Sequence, residues 1–475
     1  MSLRTPFKST VNLWMVCLLL WWFAGVMIGQ STAIAQSPPS DPGVRGVTID
    51  AGQPLASVAS TPGLLDLSSN GSAQFKEEQI VQGGANNGLG PRFNSTSCGS
   101  CHSQPAIGGS SPSQTVFPGV GPNPQFQTFG GNNQIPPFIT ADGPVREARF
   151  KLFLNPDGTL GSTRDGGVHD LFVITGRPDA TGCTIVQPDF ASHLALNNVI
   201  FRIPTPVFGA GLIENIDDAT ILLNMAADAD AKAALGITGH PNRNGNDGTI
   251  TRFGWKAQNK SLEIFAGEAY NVEMGVSNEL FPSERPSPDD GMYASSCLLN
   301  PLPEDTTHFA PGTAPADVPS DVTQFALFMR TLAPPTPSLT TPGGPDSIAS
   351  GRQLFTSVGC SLCHTPSLTT AKSFVTADLS EVTANLFSDL LVHHMGAKLA
   401  DGVRQGTAGL NEFRTAPLWG LGQRIFFLHD GRTTDVLDAI RQHSSNGSEA
   451  NGVIDQFRAL TWSEKQDLLN FLRSL

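Results

Sequence analysis

Residues 98–102 read Cys98-Gly99-Ser100-Cys101-His102, and residues 360–364 read Cys360-Ser361-Leu362-Cys363-His364. In C-x-x-C-H the two thiols form thioethers with the vinyl groups of a haem, and the adjacent histidine turns its imidazole to the iron. Two rival chemistries use the same residue types: a zinc site made from both cysteine pairs, or two redox-active dithiols. Zinc pairs normally stand about 15–20 residues apart, whereas these lie near opposite ends of the chain. A dithiol has no need of a histidine after both motifs. The sequence therefore predicts two covalently bound c-type haems, attached through Cys98 and Cys101 and through Cys360 and Cys363. His102 and His364 are the expected proximal iron ligands.

The first 35 residues support the same assignment. Arg4 and Lys8 give a short basic start, an apolar run extends from Leu13 to Gly29, and Ala33-Ile34-Ala35 reads as a cleavage site. This predicts a signal peptide over 1–35, export to the periplasm, and no membrane span after its removal. A retained anchor is the alternative, since such a run is just long enough to cross a bilayer. Cys17 sits inside the run and not at its end, which argues against a lipid on that thiol. Without Arg4 and Lys8, 27 basic side chains face 42 acidic ones, a net charge of −15. That excludes nucleic acid as a natural partner and suits a small redox protein as electron donor or acceptor. Outside the haem motifs and the signal, Cys183 and Cys297 stand alone; in an oxidising compartment two lone thiols most simply pair.

Only 15% of residues are charged, while 49 glycines and 36 prolines make the chain loop-rich. Such a chain needs more than helix packing to hold its core, and a large apolar cofactor meets that need. The expected fold is mainly α with extensive loops and a few short strands, arranged as two cytochrome c-like haem domains, the first enlarged by an insertion. Residues 36–60 read as a flexible lead-in, 61–332 as the N-terminal haem domain, 333–346 as a Pro-rich linker and 347–475 as the C-terminal haem domain. Val145–Leu154 and Asp170–Ile174 alternate like short strands. Helical spacing runs from Asp321 to Leu332 and again at the end of the chain, where Thr461 and Glu464 form a capping box before Leu468, Leu469, Leu472 and Leu475. Phe93 and Phe355 each stand five residues before a first cysteine, one of several echoes between the halves.

The run from Phe413 to Arg432, with His429-Asp430-Gly431 near its end, resembles the stretch after the second haem of bacterial di-haem cytochrome c peroxidases and of the di-haem tryptophan-modifying enzymes. The chain as a whole resembles the di-haem oxidoreductase family of peroxidase-like and thiol-oxidoreductase-like proteins. The matching phrases are Phe93-Asn-Ser-Thr-Ser-Cys98 through Gly109, Asp142 through Phe150, His169 through Arg177, Arg252-Phe-Gly-Trp255-Lys-Ala, Ser388 through Gly396 and Arg414 through Arg432; together they span residues 85 to 475. The resemblance implies a reactive N-terminal haem and an electron-transferring C-terminal haem, with a small oxidant such as hydrogen peroxide as substrate. It also implies a sixth ligand for the C-terminal iron just after a helix at Asp435–Gln442. The relatives carry methionine or tyrosine there; this chain has His443. Met395 is the rival ligand, as a thioether on a loop after C-x-x-C-H.

A reactive haem needs an open iron position and a nearby acid/base group, because splitting an O–O bond requires proton transfer to the departing oxygen. Glu147 and Glu214 are the carboxylate candidates. Glu214 follows Pro206-Val-Phe208-Gly209-Ala-Gly211, which resembles the region that supplies the distal glutamate of the peroxidases. Trp255 is a candidate electron relay, although a buried tryptophan is more often simply packed. Two other functions stay open on this sequence: plain electron transfer with both irons six-coordinate, and oxidation of an organic or thiol substrate.

Overall fold

The computed structural model describes residues 1–2, 37–46, 50–112, 122–285, 295–307 and 319–475. The signal peptide expected over 1–35 lies almost wholly outside the described residues. Met1–Pro38 and Pro39–Leu475 are separate units, and the account below concerns the second. No helix among the described residues is long and apolar enough to cross a membrane.

Helix α1, Pro62–Lys76, starts with proline in its first turn, where the missing N–H costs nothing, and ends on Lys76. It precedes α2, Cys98–Cys101, a single turn that presents the first pentapeptide. Three strands follow as an antiparallel sheet. The central strand β1 (Glu147–Phe150) lies between β2 (Val168–His169) and β3 (Val199–Arg202), and the register sets Glu147 opposite Arg202. Helix α3, Ala210–Glu214, enters through Gly209, whose φ of +66° suits a residue without Cβ. Helix α4, Leu262–Met274, is capped by the Ser261 side chain and stops at Gly275 in the left-handed conformation.

Helix α5, Asp321–Thr331, is capped by Ser320 and buries Val322, Phe325, Ala326, Phe328 and Met329. Removing each such large side chain from water contributes roughly 1.5–3 kcal/mol. Helix α6, Pro345–Ser357, again opens on proline, inside the stretch expected as linker. Strands β4 (Val392–His394) and β5 (Glu412–Arg414) pair antiparallel. Helix α7, Val436–Gln442, is capped by Asp435, and α8, Asn451–Ala459, leads to α9, Trp462–Ser474, which begins with the expected Thr461/Glu464 capping box. The structure is thus mainly helical with short strands. Val145–Leu154 contains β1 and a further strand, Leu152–Leu154.

The helices repeat one device. Helix α1 crosses α5 at Gly71, where a Cβ would meet the Gln324 carbonyl oxygen and the Phe328 side chain. Helix α6 crosses α9 at Gly351, where a Cβ would strike the Asp467 carbonyl and Phe471. Each crossing carries a phenylalanine against the histidine of a pentapeptide: Phe75 meets His102 with ring centroids 5.9 Å apart, and Phe355 meets His364 at 6.4 Å. The echo expected between Phe93 and Phe355 is corrected here. Phe93 packs on Phe129 and Phe172, and the counterpart of Phe355 is Phe75. Equal spacing in sequence did not identify equal place, because Phe355 stands on a helix running into its motif and Phe93 on a strand.

The largest core gathers residues from Leu55 to Leu332 but also recruits Leu368, Leu379, Leu386, Leu390, Leu391 and Trp419 from beyond α6. A second core holds Phe355, Phe387, Phe427, Phe457 and the apolar face of α9. Cys183 and Cys297 are buried and joined as a disulfide across 114 residues.

Candidate functional site

Two hollows open in the fold, one over each pentapeptide. The first encloses about 1210 Å³ counted out to its mouth, and Cys98, Cys101 and His102 are on its wall. His102 donates from Nδ1 to the Gly109 carbonyl at 3.1 Å. Withdrawal from water drags its pKa to about 4 despite backbone hydrogen bonds to Gly109 and Thr205, so the ring stays neutral, the form that binds a metal. Burial pushes the Cys98 thiol up to about 12 and Cys101 to about 11. A redox-active dithiol needs a stabilised thiolate, and this environment does the opposite.

The second hollow encloses about 1430 Å³ and is lined chiefly by apolar side chains around Cys360, Cys363 and His364. His364 repeats the arrangement of His102: Nδ1 donates to the Phe387 carbonyl at 3.0 Å, and desolvation pulls the pKa to about 4. His443, the residue that ends α7, lines the same hollow; its Nδ1 donates to the Ala439 carbonyl at 2.8 Å. His364 and His443 therefore face one cavity as neutral imidazoles, and His429, also neutral, lines it stacked on Phe413. Met395 lines it as well. His393 is spoken for: it is buried between Asp389 and Glu449, 2.9 Å from each. The cysteine pairs belong to different hollows, and among the described residues they do not gather into one metal-binding group.

Whether the hollows suit a haem can be judged from their charges. Arg414 and Arg424 are on the wall of the second hollow, and burial drags both to about 10. Arg424 gains no relief from any acidic neighbour, its Nε has no hydrogen-bond partner, and it repels Arg414. A buried cation without a counter-charge is costly, and the two carboxylates of a porphyrin on an otherwise apolar face would supply what is missing. In the first hollow the Arg146 and Arg202 side chains each leave a buried Nε unpartnered. The residues present fit a haem in both places.

The comparisons agree. The family model for "Di-haem oxidoreductase, putative peroxidase" matches residues 152–475, more than half of the chain. The chain belongs to the di-haem oxidoreductase family. Haem is thereby its cofactor. No curated protein matches. Among solved structures, a chain of Kuenenia stuttgartiensis hydrazine synthase pressurised with xenon is similar at 16% identity over 57% of this chain and 88% of that one; its TM-score of 0.27 is too low to bear on the fold.

Within this member of the family the two carboxylate candidates part company. Glu147 lines the first hollow and ion-pairs with Arg149. Glu214 is not on that wall. It accepts from the Leu262 amide at 2.8 Å and from the Arg330 guanidinium at 2.7 Å, tying α3 to α4 and α5. Trp255 lines both haem hollows and the small cavity between Phe208 and Arg424. Its Nε1 donates to the Ile203 carbonyl at 2.9 Å, and its ring meets His429 edge-on. Residues that the sequence did not single out are Arg414 and Arg424, visible in hindsight as basic residues in the Phe413–Arg432 run, and Glu273, which carried no motif signal.

Proposed function

We propose that this oxidoreductase is an exported, periplasmic c-type protein with peroxidase-like activity, built from two cytochrome c-like haem domains. The observation that carries the reading is the contrast between its hollows: His443 lines the second together with His364, whereas His102 is the one imidazole lining the first, whose wall holds the carboxylates Glu147, Glu268 and Glu273. His364 and His443, which line one hollow, would hold the C-terminal haem, and bis-histidine ligation would suit that haem to carrying electrons. His102 would hold the N-terminal haem, and the charged wall of that hollow would receive hydrogen peroxide. The thiols of each pentapeptide anchor the porphyrin covalently. When bound, the haems supply the electrons and the iron Lewis acidity.

The chain's own groups do the rest. Glu147 and its neighbours move protons, while Arg149 and Arg202 orient an oxygen-bearing substrate. Trp255 spans the gap between hollows as the electron relay, and a small redox protein replenishes the C-terminal haem. Met329 on the first hollow's wall favours a second reading. A thioether closing on the N-terminal iron would leave a pure electron-transfer protein. The electronic spectrum of the oxidised protein tests the choice. A high-spin five-coordinate component beside a low-spin one is expected, and two low-spin haems would overturn the peroxidase assignment.

A further inference from the structure

Three carboxylates line the first hollow: Glu147, Glu268 and Glu273. Their surroundings separate them. Glu147 ion-pairs with Arg149, and Glu268 accepts from the Asn259 side chain. Glu273, one residue before the end of α4, has no cation of its own. Its Oε2 accepts a single neutral hydrogen bond, from Asn94 Nδ2 at 2.8 Å. The guanidinium that attracts it, Arg285, is ion-paired with Asp170 at 3.1 Å.

Asn94 is locked in that role. It is buried, its Oδ1 accepts the Leu171 amide at 2.9 Å, and its backbone N–H donates to the Glu273 carbonyl at 2.7 Å. With Oδ1 committed, the amide can only present Nδ2 to Glu273. The groups that act on Glu273 come from every neighbouring element. Glu147 on β1 and Asp170 after β2 repel its charge, Arg285 attracts it weakly, and the Cys98 and Cys101 sulfurs of α2 adjoin it.

We propose that Glu273 is the proton donor of the N-terminal hollow: a carboxylic acid, positioned by Asn94 beside the Arg149-paired Glu147, that serves hydrogen peroxide. The inference rests on the peroxidase reading and deepens it. Cleavage of hydrogen peroxide to two waters takes up two electrons, delivered from the small redox protein, and two protons. Glu273 gives one proton: its O–H bond breaks as the O–O bond breaks and the departing oxygen gains hydrogen, while solvent gives the second proton and restores the acid. Desolvation, and then the neighbouring Glu147 charge, push the Glu273 carboxyl up to about 8, so it carries a proton at neutral pH. A pair of carboxyls whose surroundings drive them apart divides into acid and base.

Infrared spectra of the oxidised haem-loaded protein read this directly. At pH 7 a carboxylic-acid C=O band should be present, move in heavy water, titrate away near pH 8 and vanish in Glu273→Gln. In Glu147→Gln the band should persist and titrate at lower pH, because the like charge is gone. Peroxide consumption should fall about 10²- to 10⁴-fold in Glu273→Gln, with both haems retained and their spectra unchanged. A band indifferent to Glu273→Gln, or lost in Glu147→Gln instead, overturns the assignment. So does a band that vanishes with no change in rate. If the wild-type protein does not consume peroxide at all, the peroxidase reading itself has failed.

Discussion

The two haem hollows begin alike and end differently. Each is entered by a helix that opens on proline, crosses a later helix at a glycine, and sets a phenylalanine against the histidine of a pentapeptide. Each pentapeptide histidine donates Nδ1–H to a backbone carbonyl. Beyond that shared base the second hollow is lined mostly by apolar side chains, with Arg414 and Arg424 as its cations, and offers another imidazole, His443, whereas the first is faced by the carboxylates Glu147, Glu268 and Glu273 with Arg149 and Arg202. On the function proposed above, the same anchoring device serves two roles. What separates them is the far wall: a second ligand and a low-dielectric lining suit electron storage, and an open position among titratable groups suits proton-coupled chemistry.

The comparison can be broken most severely at the shared base. Replacing Cys98 and Cys101 by alanine should abolish covalent attachment at one site and leave the other, and replacing Cys360 and Cys363 should do the converse. Denatured protein, examined by mass and pyridine spectrum, should then carry one haem per chain in place of two. Haem that leaves the wild-type chain in acidified organic solvent would show that neither attachment is covalent.

The ligand contrast is sharpened at His443 and Met395. His443→Ala should convert the C-terminal haem from low to high spin, seen by electron paramagnetic resonance, while Met395→Ala should leave it low-spin. The opposite pattern would assign the iron to the thioether.

The contrast in proton supply is probed by Glu147 and Glu214. Glu147→Gln should slow peroxide turnover by about 10²- to 10⁴-fold, as loss of a positioned acid/base does, with little change in thermal stability. Glu214→Gln should do the reverse. Its carboxylate clamps Arg330 and the first turn of α4, so unfolding should become easier by roughly 1–3 kcal/mol, the worth of charged hydrogen bonds, with turnover kept. Equal loss of rate in both variants would place Glu214 back in the chemistry.

The smallest effect tests the repeated crossings. Gly71→Ala and Gly351→Ala each push a methyl group into the facing helix, which should cost about 1–3 kcal/mol as overpacking, measured by denaturant unfolding. Haem content should survive at both sites. A neutral result at one position only would mean that the two crossings are not equivalent.

Much of this was legible in order along the chain because its causes are local. The pentapeptides declare themselves through adjacent residues, the α9 capping box through four, and the helix that sets His443 in place through Asp435 at its start. Haem as cofactor, the helical character and the pairing of the two lone cysteines could all be anticipated from such signals. The carboxylates could not be sorted in that way. Glu147 reaches the hollow because β1 pairs with β3 and faces Arg202, and Glu214 misses it because α3 packs against α4 and α5. Glu273 owes its surroundings to Asn94, which is remote in sequence. Residue type and short spacing determine which chemistry a side chain can perform. Which side chain performs it depends on long-range pairing, because burial and neighbouring charge, the two forces that set protonation and access, belong to the folded neighbourhood and not to the local sequence.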